Sequence, residues 1–364
     1  MRILILSDIN SAHTRKWVTS LASKGIETGV FSFSPAKADW DTGHENISVF
    51  TGKPWLFSKS LFGKFSYLAM LPGLKKVIRE FRPDILHAHY ASSYGFLGRL
   101  TGFHPYFISC WGSDVMEFPG KGIIRREVLT STLSSADRIF ATSRTLVNHI
   151  HRFSSKNVDV VPFGVDTEEF KPIVCKKIFE EGSLVVGTIK SLEKVYCIDV
   201  LIEAFCLLRK ENLPVKLLIA GDGSRKEELL SLVKKNKIEN DVLFTGRISY
   251  KDVPYYHNLI DIFVNISERE SFGVSVIEAM SCAKAVVASR TGGLTEIVSE
   301  GEDGLLVSPH SVSETADAIR KLVLDEQLRR RLGENARRKI QKEFNWKILS
   351  ENIIHYYGES PAKK

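Results

Sequence analysis

Short apolar runs rich in β-branched residues recur along the chain, separated by amphipathic stretches long enough to form helices. In the first half these runs are Ile3–Leu6, Gly29–Phe33, Ile85–His89, Phe107–Trp111, Ile139–Thr142 and Val158–Phe163. In the second half they are Leu184–Ile189, Val215–Ile219, Val242–Phe244, Ile262–Ile266, Ala285–Ala288 and Leu305–Val307. Continuous apolar runs are typical of parallel strands covered by helices on both faces. Because the pattern occurs twice, it predicts two doubly wound α/β domains.

The boundary between these domains is predicted at residues 164 and 165. Pro162 and Gly164 interrupt the pattern there, and a polar stretch follows. We expect Rossmann-like domains over residues 1–164 and 165–344, a C-terminal helix over 345–357 and a flexible tail over 358–364. Ligands of open parallel sheets bind beyond the carboxyl ends of the strands, so the active site is expected in a cleft between two facing domains.

Composition and charge exclude several classes of protein. Hydrophobic residues make up 43% of the 364 residues and charged residues 26%, which argues against a disordered chain. No run of about 18 apolar residues occurs, and the run after Met1 is too short for a signal peptide. The five cysteines are widely spaced, as suits a reducing compartment. We therefore expect a cytoplasmic protein without a transmembrane helix.

The net charge of +7 is concentrated in the first domain. Residues 1–170 contain 20 Lys and Arg against 15 Asp and Glu, whereas the remainder contains 30 against 28. The basic clusters Arg329–Arg331 and Arg337–Lys339 have no interleaved aromatic residues, so nucleic acid is not an expected partner. The charge favours an anionic acceptor or an anionic membrane surface and does not decide between them.

The segment from Ser267 to Met280 carries the clearest chemical signal. It follows a predicted strand, contains Gly273 and then becomes helical, and a helix N-terminus of this kind binds anions. Glu270 lies in the turn and Glu278 in the helix, and carboxylates of this kind accept hydrogen bonds from hydroxyl-rich ligands. The alternative is that Glu270 caps the helix and Glu278 is a solvated helical residue.

These residues belong to a longer pattern that resembles glycosyltransferase family 4, the group 1 glycosyl transferases. Glu270 and Glu278 form its Glu-x7-Glu motif. Matching segments are Val161–Asp166, Leu201–Phe205, Gly221–Gly223, Phe244–Arg247, Val286–Ser289, Gly292–Gly293, Glu296–Val298 and Gly304–Val307. The resemblance implies the GT-B fold, in which two Rossmann-like domains face each other across a cleft and a C-terminal helix crosses back to the N-terminal domain. It also implies a retaining enzyme whose donor is a nucleoside-diphosphate sugar. We expect no cofactor and a metal-independent reaction.

The resemblance also implies roles for individual residues. Glu270 would contact the hydroxyls of the donor sugar, and Glu278 the ribose. The residues implied for donor binding are Glu278, Phe272, Gly273, Val274, Gly246, Arg247 and Ile248. Gly221 to Gly223 is either a ligand contact or a purely conformational turn. The first domain would bind the acceptor.

The donor diphosphate also requires cations. Family members usually have an arginine after the glycine that ends the first strand of the second domain, but Thr188 stands in that position here. Lys194 matches the usual lysine, and Lys190 is interpreted as the replacement for the arginine, although a lysine lacks the bidentate geometry. We expect Glu270, Lys190 and Lys194 to carry catalysis, the alternative being two solvated loop lysines.

The first domain departs further from the family pattern. The turn after its first strand contains Ser11, His13 and Thr14, which could bind the acceptor or the diphosphate or could merely cap a helix. Trp111 stands where the family has a cleft histidine, and an indole cannot exchange a proton. His89 shares one sheet face with His87, and either could be a ligand contact or a satisfied core histidine.

No metal site is predicted. Asp39 and Asp41 match the Asp-x-Asp motif of the other large glycosyltransferase fold, but they lie in a polar loop rather than at the end of a nucleotide-binding strand. His87 and His89 would need a third ligand that the sequence does not supply.

Residues 54–77 interleave aromatic residues, leucines and lysines. The segment suits either an interfacial membrane helix or a helix packed on the sheet with its lysines at the edge. The membrane alternative would place the protein at the inner face of the plasma membrane.

We therefore expect a retaining hexosyltransferase acting on a glycan or lipid-linked acceptor in bacterial surface polysaccharide or glycolipid biosynthesis. A sugar-nucleotide epimerase of the same fold is one alternative. A non-catalytic partner of another glycosyltransferase is the second, suggested by Trp111 and Thr188.

Overall fold

The computed structural model describes residues 1–36, 44–51, 63–180 and 182–359, with the backbone alone for residues 63–66. The chain divides into two compact units. Met1–Pro162 and the segment from Leu349 onward form the first, and Phe163–Ile348 form the second. Each is a doubly wound α/β unit, which confirms the predicted fold class.

The first unit is built on a parallel sheet with seven strands among the described residues. They are β1 (Arg2–Leu6), β2 (Glu27–Ser32), β3 (Ile47–Thr51), β4 (Ile85–His89), β5 (Tyr106–Cys110), β6 (Arg138–Ala141) and β7 (Val158–Val160). The order β3-β2-β1-β4-β5-β6-β7 reverses direction at β1, where Leu4 lies opposite Gly29 on one side and Leu86 on the other. The central strands β4 and β5 are buried throughout, as continuous apolar runs predict.

The second unit repeats this winding with six described strands. They are β8 (Leu184–Ile189), β9 (Val215–Ala220), β10 (Val242–Gly246), β11 (Ile262–Asn265), β12 (Ala285–Ser289) and β13 (Leu305–Val307). The parallel order is β10-β9-β8-β11-β12-β13, so β8 and β11 flank the point where the order reverses. Ligands of doubly wound sheets bind at that point, beyond the carboxyl ends of the strands.

Helices cover both sheets. Those of the first unit are α1 (Ala12–Ser23), α2 (Leu71–Phe81), α3 (Tyr94–Arg99), α4 (Ser113–Met116), α5 (Ile123–Ser135) and α6 (Arg144–Ile150). Those that follow are α7 (Ile198–Lys210), α8 (Lys226–Lys235), α9 (Val253–Leu259), α10 (Val274–Ser281), α11 (Leu294–Ile297), α12 (Val312–Leu324), α13 (Glu326–Glu343) and α14 (Trp346–Gly358). Short 3₁₀ segments include Gly63–Met70, Pro119–Lys121 and Lys194–Tyr196.

The C-terminal helix α14 joins the first unit from Leu349 onward, as predicted. Tyr357 is 2% exposed, and its hydroxyl lies 2.6 Å from Nδ1 of His87 on the central strand β4. Nε2 of His87 lies 2.9 Å from Oγ of Ser109 on β5. Tyr357 thereby anchors helix α14 in the core of the first unit.

Strand β3 was not predicted. Its residues alternate between half-buried and exposed, so they do not form the continuous apolar run of the other strands. Among the described strands β3 lies at the edge of the sheet and pairs with β2 alone, which accounts for its exposure.

The segment 54–77 is described only in part, because residues 52–62 lie outside the described residues. Tyr67, Met70 and Leu74 are buried in the core of the first unit. For this part the interpretation as a helix packed on the sheet holds. Asp39, Trp40 and Asp41 also lie outside the described residues.

Candidate active site

Lys190 and Glu270 meet at the carboxyl ends of two neighbouring strands. Lys190 directly follows β8, and Glu270 lies in the turn between β11 and α10. These strands pair with Phe263 opposite Gly187, which brings residues 80 positions apart side by side. Nζ of Lys190 is 2.5 Å from Oε2 of Glu270, and each side chain is 13% exposed. The structure therefore unites two of the three residues predicted to carry catalysis.

Tyr196 and Ser267 also contact this ion pair. Nζ of Lys190 lies 4.5 Å from the centroid of the Tyr196 ring, a cation–π contact. Oγ of Ser267 lies 3.4 Å from the same oxygen of Glu270 and 2.6 Å from Oδ1 of Asn265. An aromatic face thus supports the cation, and a buried hydroxyl lies beside the carboxylate.

Two glycines allow other loops to approach the ion pair. A Cβ on Gly221, which has a φ of +147°, would lie 1.8 Å from the carbonyl oxygen of Lys190. A Cβ on Gly292, with a φ of +49°, would lie 2.0 Å from the carbonyl oxygen of Glu270. The sequence leaves two roles open for Gly221, and this close approach accounts for it conformationally.

The N-terminus of α10 lies three residues beyond Glu270. The N-cap residue of this helix is Gly273, which makes no side-chain cap, so Glu270 does not occupy the cap position. Phe272 is buried, with its ring 5.8 Å from that of Phe163 and 5.9 Å from that of Phe344. Its side chain therefore anchors the turn, and only its backbone N–H could face a ligand. Gly273 and the half-buried Val274 begin the helix, whose dipole favours a bound anion.

Glu278 is buried in the second turn of α10. It is 6% exposed, which excludes the reading of a solvated helical residue. Oε2 of Glu278 lies 3.5 Å from Nε2 of His257, a fully buried residue of α9. Nδ1 of His257 has no hydrogen-bond partner among the described residues. The imidazole, packed 5.2 Å from the ring of Phe263, is therefore positioned mainly by Glu278 and by aromatic neighbours.

The turn at Gly246, Arg247 and Ile248 ends the outermost strand of the second sheet. The carbonyl oxygen of Gly246 accepts the N–H of Gly221 at 2.9 Å, which ties the two loops together. Arg247 is exposed and Ile248 half-buried. The turn thus lies at the same edge of the sheet as the ion pair, two strands away from β8.

The residues of the first unit that were predicted to bind the acceptor or the diphosphate are Ser11, His13, Thr14, His89 and Trp111. Thr14 is fully buried, with Oγ1 2.7 Å from Oγ of Ser7, so it faces the interior rather than the surface. Ser11 precedes α1 but makes no side-chain cap, so neither serine nor threonine has the capping role considered from the sequence. His13 is half-buried, with its ring 5.7 Å from that of Trp111.

The rings of His89 and Trp111 pack against each other at an angle of 37°, at the ends of neighbouring strands. Their ring centroids are 4.7 Å apart, and Nδ1 of His89 lies 3.2 Å from Oγ of Ser7. Nε2 of the fully buried His89 has no hydrogen-bond partner among the described residues. Burial lowers the pKa of His89 well below its usual value, and neighbouring His87 and His13 add to the shift. His89 is therefore a neutral imidazole with one nitrogen open.

His87 is a satisfied core histidine. Both of its ring nitrogens have partners, and burial lowers its pKa to about 3. The period-two pattern alone could not distinguish it from His89.

Asp114 is a positioning residue that the sequence reading missed. It is 1% exposed and accepts the N–H groups of Ala91 at 2.8 Å, Trp111 at 3.1 Å and Gly112 at 2.9 Å. It therefore joins the end of β4 to the end of β5 beneath Trp111. The Gly112-Ser113-Asp114 triplet after the strand was the available signal.

Among the described residues, no group of three His, Cys, Asp or Glu side chains is arranged to hold a metal ion. In the same part of the chain no helix has the length and apolar character to cross a membrane.

Two family models match the chain. The model for glycosyl transferases group 1 matches residues 171–339, and the model for glycosyl transferase 4-like proteins matches residues 2–143. The chain belongs to the group 1 glycosyltransferases. The resemblance seen in the sequence is thereby confirmed.

Relatives of this glycosyltransferase have several activities. N-acetyl-alpha-D-glucosaminyl L-malate synthase of Bacillus anthracis is 27% identical over 91% of this chain and 93% of that protein. D-inositol 3-phosphate glycosyltransferase of Corynebacterium jeikeium is 33% identical over 56% of this chain and 52% of the relative. The relatives thus agree on sugar transfer and differ in the acceptor that their names give.

Solved structures share the fold. Sucrose-phosphate synthase from Thermosynechococcus elongatus superposes with a TM-score of 0.84 at 20% identity, covering 99% of this chain and 98% of that one. Anabaena HepE, solved in complex with UDP and glucose, gives 0.81 at 20% identity, covering 99% and 100%. This glycosyltransferase therefore has the GT-B fold.

Thr188, Lys190 and Lys194, which stand at or near the family's cation positions, have different surroundings in the structure. Thr188, in the family's arginine position, is buried, and its Oγ1 has no hydrogen-bond partner among the described residues. Lys190 is in the ion pair, which excludes the reading of a solvated loop lysine. Lys194 is exposed on the 3₁₀ segment Lys194–Tyr196, so its predicted catalytic role remains a prediction.

Proposed function

We propose that the protein is a retaining glycosyltransferase that moves a hexose-type sugar from a nucleoside-diphosphate donor to an acceptor hydroxyl. The observation that carries this proposal is the ion pair of Lys190 and Glu270 beside the uncapped N-terminus of α10. A cation and a helix dipole suit a diphosphate, and a carboxylate suits sugar hydroxyls. The HepE complexes with UDP and with UDP-glucose support a donor of this class.

The second unit is proposed to bind the donor. Glu270 accepts hydrogen bonds from the sugar hydroxyls, and Glu278, oriented by His257, accepts those of the ribose. The backbone N–H groups from Phe272 to Val274 face the sugar and the diphosphate, and the Gly246–Ile248 turn contacts the base. Lys190 and Lys194 supply positive charge to the diphosphate.

Donor binding is proposed to exchange the partners of Lys190. The ammonium group of Lys190 lies 2.5 Å from the carboxylate of Glu270 and neutralises its charge. The incoming diphosphate offers Lys190 a stronger anionic partner, while the sugar hydroxyls replace it on the carboxylate. Tyr196 keeps the ammonium group within reach of both positions.

Transfer is proposed to proceed by attack on the face that the diphosphate leaves. The acceptor oxygen bonds to the anomeric carbon as the bond from that carbon to the phosphate oxygen breaks. The electron pair remains on the leaving oxygen, which takes the proton of the acceptor hydroxyl. The lysines and the helix dipole stabilise the developing charge, so neither an enzymic nucleophile nor a metal ion is required.

The first unit is proposed to bind a glycan or lipid-linked acceptor. His13, His89 and Trp111 lie together at one edge of its sheet, with an open ring nitrogen on His89. Bacterial surface polysaccharide or glycolipid biosynthesis is the proposed setting, in the cytoplasm and at the inner face of the plasma membrane. The surplus of positive charge in residues 1–170 supports an anionic acceptor or membrane.

The test compares Glu270→Gln with Glu268→Gln, a half-exposed carboxylate two positions away. Transfer from a panel of nucleotide sugars is measured with and without EDTA, and the anomer of the product is assigned by NMR. We expect a retained anomer, no effect of EDTA and at least a hundredfold lower kcat/KM for Glu270→Gln alone. Equal rates for the two variants would overturn the site. An altered sugar nucleotide without acceptor would identify an epimerase, and donor binding without transfer a non-catalytic partner.

A further inference from the structure

Two isoleucines project from the first unit at the start of α5. Ile123 is 80% exposed and Ile124 is 72% exposed. Among the other large apolar side chains described in this unit, the most exposed is Met1 at 47%. Two adjacent isoleucines exposed to this degree form a small apolar patch, and the groups around the patch indicate what it can bind.

The exposure follows from how α5 meets the core. Val128, Leu129 and Leu133 are buried on its inner face. Ile124 lies one helical turn before Val128, on the same side of the helix, but the core does not extend that far. The apolar face of α5 therefore extends beyond the hydrophobic core, and its first residues are exposed.

Positive charge surrounds the two isoleucines. Lys121 and Arg126 are exposed and Arg125 is half-exposed. The guanidinium carbon of Arg125 lies 5.8 Å from the ring centroid of Phe118, and that of Arg126 lies 5.8 Å from the ring centroid of Phe153. Both guanidinium groups are thus held against the surface by aromatic rings, and neither forms an ion pair with a carboxylate of the described residues.

The backbone adds to this charge. No side chain caps the N-terminus of α5, and no acidic residue lies in its first turn. The positive end of the helix dipole therefore points out at the isoleucines. The exposed carboxylates nearby are Glu117 and Glu127, so the segment 117–127 has three cations against two anions before the dipole is counted.

We propose that Ile123 and Ile124 insert into the interface of an anionic lipid membrane, with Lys121, Arg125 and Arg126 on the lipid phosphates. This combination of apolar side chains and cations is what interfacial segments present to a membrane. Two apolar side chains alone are too small a patch for a stable protein interface, which buries about 800 Å² per partner. The inference rests on the proposed membrane association and is independent of the donor site.

The test measures binding of the full chain to vesicles made of equal parts phosphatidylcholine and phosphatidylglycerol, by flotation at low and high salt. We expect the wild type to float at low salt and to be released at high salt. Ile123→Ser with Ile124→Ser should weaken binding at least tenfold. Arg125→Gln and Arg126→Gln should each weaken it about fivefold.

The matched control is Ile173→Ser with Val174→Ser, which removes two exposed β-branched residues from the second unit at 46% and 103% exposure. This control should float as the wild type does. Absence of wild-type binding at low salt, equal losses for the two double variants, or a dimer that only the Ile123/Ile124 variant abolishes would each overturn the proposal. The flotation assay contains neither donor nor acceptor. A failure of membrane binding can therefore be distinguished from a failure of the transferase assay.

Discussion

Lys190 and Glu270 form an ion pair of 2.5 Å in which both side chains are buried to the same extent. Each charge is the main compensation for the other, because water reaches neither freely. The pair also lies where the two central strands of a doubly wound sheet end, which is the usual position of a ligand. Charges at that position are available for exchange with a bound anion.

Replacing Lys190 should affect transfer more than replacing Lys194. Lys190→Met removes the cation beside Glu270, which is only 13% exposed, and we expect kcat/KM to fall at least hundredfold. Lys194→Met removes an exposed cation, and we expect a loss of about tenfold, since solvent screens its charge. Steady-state rates with a fixed donor measure both. A greater loss for Lys194→Met would contradict the assignment.

Gly292 should resist substitution beyond the effect of its backbone conformation. Gly292→Ala places a Cβ 2.0 Å from the carbonyl oxygen of Glu270, so the turn that holds Glu270 must move. Gly301 has a φ of +73° with no atom within 4 Å, so Gly301→Ala isolates the conformational cost of about 1 kcal/mol. We expect Gly292→Ala to lower the free energy of unfolding by about 2 kcal/mol or more and to reduce transfer. Urea unfolding of both variants tests this, and similar losses would show that the close contact does not matter.

His257 should act through Glu278. His257→Leu removes the imidazole 3.5 Å from Oε2 of Glu278, and we expect about a tenfold increase in the KM for donor with little change in kcat. His257→Gln, which keeps a donor group, should recover part of the affinity. Exposed His355→Leu serves as the control. A fall in kcat at constant KM would contradict a role in donor binding.

The stability of the first unit should depend on pH through His87. Its folded-state pKa of about 3 lies below the usual 6.5, so the unfolded chain binds one more proton between these values. The free energy of unfolding is therefore expected to fall as the pH decreases through this range, by about 2 kcal/mol between pH 7 and pH 5. His89, whose pKa is lowered by burial, should add a second contribution of the same sign.

Urea unfolding over this pH range measures the effect. His87→Gln should reduce the slope by about one proton even if the variant is less stable at every pH. An unaltered slope in His87→Gln would mean that His87 is not the titrating group.

Local sequence determined most of the fold. The apolar runs of the central strands predicted β4, β5, β8 and β11 because strands covered on both faces are mostly apolar, even though each of these four contains a buried polar residue. β3 escaped detection because an edge strand is covered less and its alternating residues do not form such a run. β3 is recognised as a strand by its pairing with β2, which is a tertiary interaction.

The candidate site was likewise predicted in part from local sequence and decided in part by tertiary contacts. The motif around Glu270 and Glu278 is local, so the sequence alone located both carboxylates and the helix start between them. The partners came from elsewhere: Lys190 from a strand 80 positions earlier and His257 from a separate helix. The sequence named Lys190 as a candidate cation for the diphosphate, but it could not choose between this role in the site and a solvated loop lysine. That choice depended on β8 and β11 becoming neighbours in the folded sheet, because only adjacency brings the two charges together out of water.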